Sequence, residues 1–196
     1  VRGQRELSQD LMKAIETVEL KLQYQPIIDA ETGAICGVEA LSRWHHPVRG
    51  TVSPSEFIPI AENNGIIIAL GDRVIEKAIA AALEMPSGTK IAINVSPLQL
   101  HSTRLLSLIT QQLDETGIDP SRIELEITES VFLSDNSFIL DRLRRLKELG
   151  VRIAMDDFGT GFSSLVYLQR FPFDKLKLDQ AFVRELEPNG QSRAIA

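Results

Sequence analysis

The sequence predicts an α/β domain assembled from parallel βα units, and three observations support that class. Short β-patterned runs (Leu22 to Ile28, Ile35 to Arg43, Lys90 to Val95, Arg122 to Thr128, Val151 to Met155, Leu176 to Leu178) alternate with helical patterns, as parallel βα units require. The helical stretches carry their own start and stop signals. Within the β runs, apolar and polar residues alternate, so each strand offers one face to the helices and one to an interior. Six such strands fall short of the eight of a βα barrel, which takes about 250 residues, and the sequence has 196. Pattern alone leaves two options: an open sheet, or a barrel of which roughly a quarter lies outside this sequence.

Leu7 to Val18 reads as an amphipathic lead-in helix, which sets residues 1–19 apart from a domain over 20–196. Ser53-Pro54-Ser55-Glu56 has the capping-box pattern ahead of Phe57-Ile58, so a helix is expected there. Gly71-Asp72 leads into Arg73 to Met85, where Val74, Ile75, Ala78, Ile79 and Ala82 share one face and Pro86-Ser87-Gly88 ends the helix. Leu140, Leu143, Leu146 and Leu149 mark another helix, stopped by Gly150 just before the strand at Val151. A further helix is expected from Ser163.

With 43% hydrophobic and 24% charged residues the chain has the make-up of one ordinary globular domain. No apolar run approaches the roughly 18 to 20 residues of a spanning helix, and the first residues lack a signal-peptide layout, so no part of this chain is expected to enter a membrane. The single cysteine, Cys36, excludes an internal disulfide framework and a Cys-based zinc cluster and suits a cytoplasmic location. Lys plus Arg number 21 against 27 Asp plus Glu, a net charge of −6, which argues against a groove for polymeric nucleic acid.

Strand alternation sorts the chemistry-bearing residues. Ile123, Leu125 and Ile127 share one face, and Glu124, Glu126 and Thr128 the other. By the same rule Asn94, Asp156, Lys177 with Asp179, and Glu39 with Arg43 point inward near strand C-terminal ends, where βα barrels place their catalytic groups. Any one of them alone would be a solvated strand end. Together they are costly, because carboxylates about 5 Å apart repel by roughly 3 kcal/mol per pair at an effective dielectric of about 20. Lys177 and Arg43 do not offset Glu39, Glu126, Asp156 and Asp157, so a divalent ion is the expected remedy. Oxygen donors without a strand His favour Mg²⁺ or Mn²⁺ over zinc, and two such ions could flank a water and a phosphodiester. Asp156-Asp157-Phe158-Gly159-Thr160-Gly161 runs two acids into a glycine-rich turn. His45 and His46 are expected in a strand-to-helix loop, and neither they nor His101 have ligand spacing. Glu124, Arg152 and Lys175 fall inward below the site, and a buried ion network among them is expected because an unpaired charge there is costly.

Tyr24-Gln25-Pro26-Ile27, Glu39-Ala40-Leu41-Ser42-Arg43-Trp44, Asn94-Val95-Ser96, Glu126-Ile127-Thr128-Glu129, the Asp156 to Gly161 run and Lys177-Leu178-Asp179 resemble, in order, the motifs of EAL domains, bacterial phosphodiesterases of cyclic di-GMP. The resemblance implies a TIM-type eight-stranded α/β barrel with one antiparallel strand, and hydrolysis of cyclic di-GMP to linear pGpG. It implies that Glu39, Asn94, Glu126, Asp156 and Asp157 hold two Mg²⁺ or Mn²⁺ ions, and that Lys177 positions or deprotonates the attacking water. It further implies that Gln25 and Arg43 contact the substrate, with Asp179 close by in a supporting or substrate role. Glu129 would brace the Asp-Phe-Gly-Thr-Gly loop, which in this family also links the site to a dimer interface. A homodimer and an upstream sensory or GGDEF domain are therefore expected, in a parent protein free to be membrane-tethered. The family's last two strands carry a further metal-binding Glu and a substrate-contacting Gln, and the sequence ends at Ala196 before either. Two other readings remain: a receptor that binds the dinucleotide without cleaving it, and another hard-metal barrel enzyme, for example one that abstracts a substrate proton next to a carboxylate with Lys177 as base.

Overall fold

The structure is a computed structural model that describes residues 2–132, 137–159 and 168–180. In chain order it contains α1 (Arg2–Ala14), β1 (Leu20–Ile28), β2 (Ile35–His46), β3 (Gly50–Val52), α2 (Pro54–Asn63), α3 (Ile67–Glu84), β4 (Lys90–Asn94), α4 (Pro97–His101) and α5 (Arg104–Thr116). Then follow β5 (Ile123–Thr128), α6 (Ser137–Glu148), β6 (Arg152–Phe158) and β7 (Lys175–Leu178). One sheet joins the strands in the order β1-β2-β4-β5-β6-β7, with β3 added to β2. From β2 through β7 the main path is parallel, and β1 runs antiparallel to β2. This is the expected α/β, TIM-barrel-like arrangement with its antiparallel strand in first place.

The β5 run shows why these residues make this sheet. Ile123, Leu125 and Ile127 are fully buried against the helical layer, so the alternate residues Glu124 and Glu126 are forced to the interior, where they are also buried. Elsewhere in the core α3 contributes Leu70, Ile75, Ala78, Ile79 and Ala82, and α1 contributes Leu7, Leu11 and Ala14. No helix among the described residues is long and apolar enough to cross a membrane.

Three local expectations need correction or refinement. A helix does start after Ser53, but the Ser53 hydroxyl bonds to the Ser55 hydroxyl at 2.7 Å and caps nothing. The Glu56 and Phe57 amides go to the Ser53 carbonyl instead, and Pro54 presets the first turn. The reciprocal capping box forms at α4, between Ser96 and Gln99. Helix α3 begins at Ile67, six residues before Arg73, so Gly71 sits inside it, against the buried Gln99 side chain. His45 and His46 belong to strand β2 and not to a loop, since β3 pairs with them through Thr51 and Gly50. His46 is buried; its Nδ1 accepts from the Val48 and Arg49 amides at 3.1 Å and its Nε2 faces Asp10 of α1 at 3.2 Å. The helix expected from Ser163, and Thr160 and Gly161, lie outside the described residues.

Candidate active site

Parallel strands end in step, so residues at the C-terminal ends of β2, β4, β5, β6 and β7 share one rim. Their registers link Glu39 to Ala92, Asn94 to Glu126 and Thr128 to Asp156. At the centre stands the Lys177 ammonium, which donates to Glu126 Oε2 at 2.5 Å and Asp156 Oδ2 at 2.9 Å and lies 3.4 Å from Glu39 Oε2. Asn94 Nδ2 donates to Glu39 Oε1 at 2.8 Å. Four of the five residues assigned from sequence to metal binding, Glu39, Asn94, Glu126 and Asp156, thus belong to one contiguous network.

Asp157, the fifth, owes its place to a bulge. Between the pairs Met155↔Leu176 and Phe158↔Leu178 strand β6 advances by one residue more than β7. Asp157 takes up the extra residue with a φ of 56°, the sole positive φ at a non-glycine among the described residues. Burial, with Asp156 and Asp179 nearby, raises the Asp157 carboxyl above the usual carboxylate range against the pull of Lys177. The Asp179 amide donates to the Phe158 carbonyl, so Asp179 adjoins the same rim. Glu129 follows directly on β5 in a short 3₁₀ turn and is buried.

Gln25 lies opposite Glu39 in the β1–β2 register and is exposed. Arg43 Nε donates to Gln23 Oε1 at 2.8 Å, and its Nη1 to the Ser42 carbonyl. Arg43 is thus bonded to β1 and to its own chain neighbour and not to the acids. A cavity of about 440 Å³ opens beside the network; Arg43, Asn94 and Glu126 line one side, and Ile58, Glu62 and Leu70 the other. The contribution of α2 and α3 was not foreseen, although the Ser96-to-Gln99 pattern could have shown that α4 is pinned there. Ser96 Oγ donates to Glu62 Oε1 at 2.8 Å, which ties α2 to the end of β4.

Burial dominates the electrostatics. The Glu126 carboxyl is pushed up to about 7 by desolvation, helped by Glu39 and Asp156 and opposed by Lys177. Desolvation acts to lower Lys177, but its bonds to Glu126 and Asp156 outweigh this and hold it above the ordinary lysine value, firmly cationic. Among the described residues no three acids are drawn to metal-ligand distances of one point; the ammonium is the ion they share. The donor set nevertheless fits a hard divalent cation. Three carboxylates face one lysine, and Glu126 Oε1 is buried without a hydrogen-bond partner. The expected network below the site is present, with Lys175 Nζ 2.5 Å and Arg152 Nε 3.5 Å from the buried Glu124 carboxylate.

Fold and rim together define a TIM-barrel-like α/β domain with a lysine-centred acidic site at its strand ends. The chain belongs to the EAL domain family, whose model matches residues 8–196. It is 52% identical to an uncharacterized signaling protein of Caulobacter vibrioides, over all of this chain and 24% of that protein. It is 40% identical to the bifunctional diguanylate cyclase/cyclic di-GMP phosphodiesterase MucR of Pseudomonas aeruginosa, over 98% of this chain and 29% of MucR. The solved PaMucR phosphodiesterase in complex with c-di-GMP superimposes with a TM-score of 0.87 at 39% identity, over 97% of this chain and 78% of that one. The chain spans about a quarter to a third of the length of such curated relatives.

Proposed function

We propose that this chain is a metal-dependent phosphodiesterase unit that hydrolyses cyclic di-GMP to linear pGpG. The observation that carries the reading is the convergence of Glu39, Glu126 and Asp156 on one ammonium, with Asn94 bound to Glu39. Glu39, Asn94, Glu126, Asp156 and Asp157 are the donors for Mg²⁺ or Mn²⁺, two ions in all. When bound, such ions supply Lewis-acid polarisation of the phosphodiester and a more acidic water.

The protein's own residues do the rest. Lys177, held at the centre of the rim by Glu126 and Asp156, positions or deprotonates the attacking water and stabilises the charge that develops. Arg43, once it leaves Gln23, offers a two-pronged donor to a phosphate or a guanine edge, and Gln25 contacts the substrate from across the β1–β2 ladder. Asp179 supports the rim beside Asp157. Glu129, buried directly after β5, braces the turn that follows Asp156 and Asp157 and supports a link from that turn to a homodimer contact.

The diguanylate cyclase named in MucR supports a further GGDEF or sensory domain in the parent protein. A cytoplasmic site of action follows from the nature of the substrate.

The test is direct. Purified domain with cyclic di-GMP and Mg²⁺ should yield pGpG, a chelator should stop it, and Mg²⁺ or Mn²⁺ should restore it. Binding of the dinucleotide without product would establish a receptor and end the enzymatic reading.

A further inference from the structure

Two charged layers are stacked on the inward face of the sheet. The upper is Glu126, Lys177 and Asp156; the lower is Glu124, Lys175 and Arg152. The layers share a spacing, since Glu124 and Glu126 lie two apart on β5 and Lys175 and Lys177 two apart on β7. Each lysine reaches over the buried Ala154 side of β6 to its glutamate at 2.5 Å. Both lean back in the same sense: the ladders run Glu126↔Ala154↔Lys175, yet Lys175 bonds Glu124 and Lys177 bonds Glu126.

This spacing creates an ambiguity between the two lysines that strand parity does not remove. Strand faces repeat every two residues, so a two-residue slip of β7 would leave every inward residue inward. It would also set Lys175 against Glu126 in the place of Lys177. Strand β7 has four residues, pairs with β6 alone among the described strands, and its ladder is interrupted at the bulge level with Lys177. Asp174 anchors the start of β7 to the Ile153 amide and Lys147, and the lower layer adds the interaction that tells the two lysines apart. In the observed register both glutamates have a lysine, whereas the slipped one leaves Glu124, 2% exposed, without its closest partner.

We propose that the Glu124–Lys175 pair, steadied by Arg152, is a register lock that delivers Lys177 and not Lys175 to Glu126 and Asp156. Glu124 and Lys175 are positioning residues that act through Lys177. Only the kinetic arm of the test rests on the phosphodiesterase reading.

Glu124→Leu removes the partner that holds Lys175 in the lower layer and leaves Lys175 to compete for Glu126, whereas Glu124→Leu/Lys175→Met removes the competitor as well. Acetylation of lysines, mapped by peptide mass, reports the shielding of Lys177 without any need for turnover. With Glu124→Leu, Lys177 should be acetylated several-fold faster and kcat should fall at least about tenfold at nearly constant KM, since a small misplacement can cost about a hundredfold. In the double variant only Lys177 is left for Glu126, so its acetylation and kcat should return towards the parental values, a recovery that separates slippage from misfolding. Parental acetylation of Lys177 in Glu124→Leu, or no recovery in the double variant, would overturn the lock. If parental protein yields no pGpG, the phosphodiesterase reading falls while the acetylation arm still decides the lock.

Discussion

Gly71→Ala should destabilise the domain even though alanine is the better helix former. Gly71 lies within α3, and the three atoms nearest to a Cβ built there all belong to Gln99: Nε2 at 1.9 Å, Cδ at 2.4 Å and Oε1 at 2.7 Å. Gln99 is 3% exposed, and its Oε1 accepts from the Ser96 amide at 3.0 Å to close the α4 capping box. A methyl group must therefore displace a buried amide and undo a cap. Overpacking of this kind costs about 1–3 kcal/mol and a lost cap about 1 kcal/mol, against roughly 1 kcal/mol gained in helix propensity. The net is a loss of about 2 kcal/mol, or about 4–8 °C in Tm for a domain of this size. Thermal unfolding followed by circular dichroism measures it. In a Gln99→Ala background the obstacle is gone, so Gly71→Ala should become neutral or stabilising by up to about 1 kcal/mol, a reversal of sign that marks direct coupling. An unchanged or higher Tm for Gly71→Ala alone would refute the close approach of α3 to Gln99.

Lys177→Ala should lower kcat for cyclic di-GMP by about a hundredfold or more with a much smaller change in KM, because the cation acts chiefly in the transition state; weak binding with parental turnover would contradict its role. Asp174 accepts from the Ile153 amide at 2.8 Å and from Lys147 at 3.0 Å. Burial works to raise its carboxyl, yet these bonds together hold it below the usual range. A depressed folded-state pKa adds stability above the unfolded value of about 4 and loses it as pH falls through the folded value. Tm of the parent should therefore drop on acidification below about pH 4 more steeply than that of Asp174→Asn, and parallel Tm–pH curves would refute the linkage.

Much of the site was legible because period-two alternation reports which face a strand residue takes, and parallel strands end together. Glu39, Asn94, Glu126, Asp156 and Lys177 were found that way, and so was the Glu124, Arg152 and Lys175 network. Alternation gives the face but not the reach of a side chain, so from pattern alone Lys177 read as one of two cations, with Arg43, and not as the centre the acids share. His45-His46-Pro47 reads as a turn, and only the three-residue partner β3 makes a strand of it. The cap at Ser96 and the wall formed by α2 and α3 depend on contacts between distant segments, such as Glu62 with Ser96, which no local pattern encodes.

The extra residue on β6 bears on how adjacent acids can serve one pocket. A regular pleat has strict parity, so two consecutive side chains on it must look in opposite directions. By spending one residue in a left-handed conformation at Asp157, the strand breaks that parity at the one place where two neighbouring carboxylates meet the field of the same lysine. Asp157 is thereby a hinge of stereochemistry as much as a charge, and a β-branched residue there would lose the carboxylate and also be strained in the left-handed conformation.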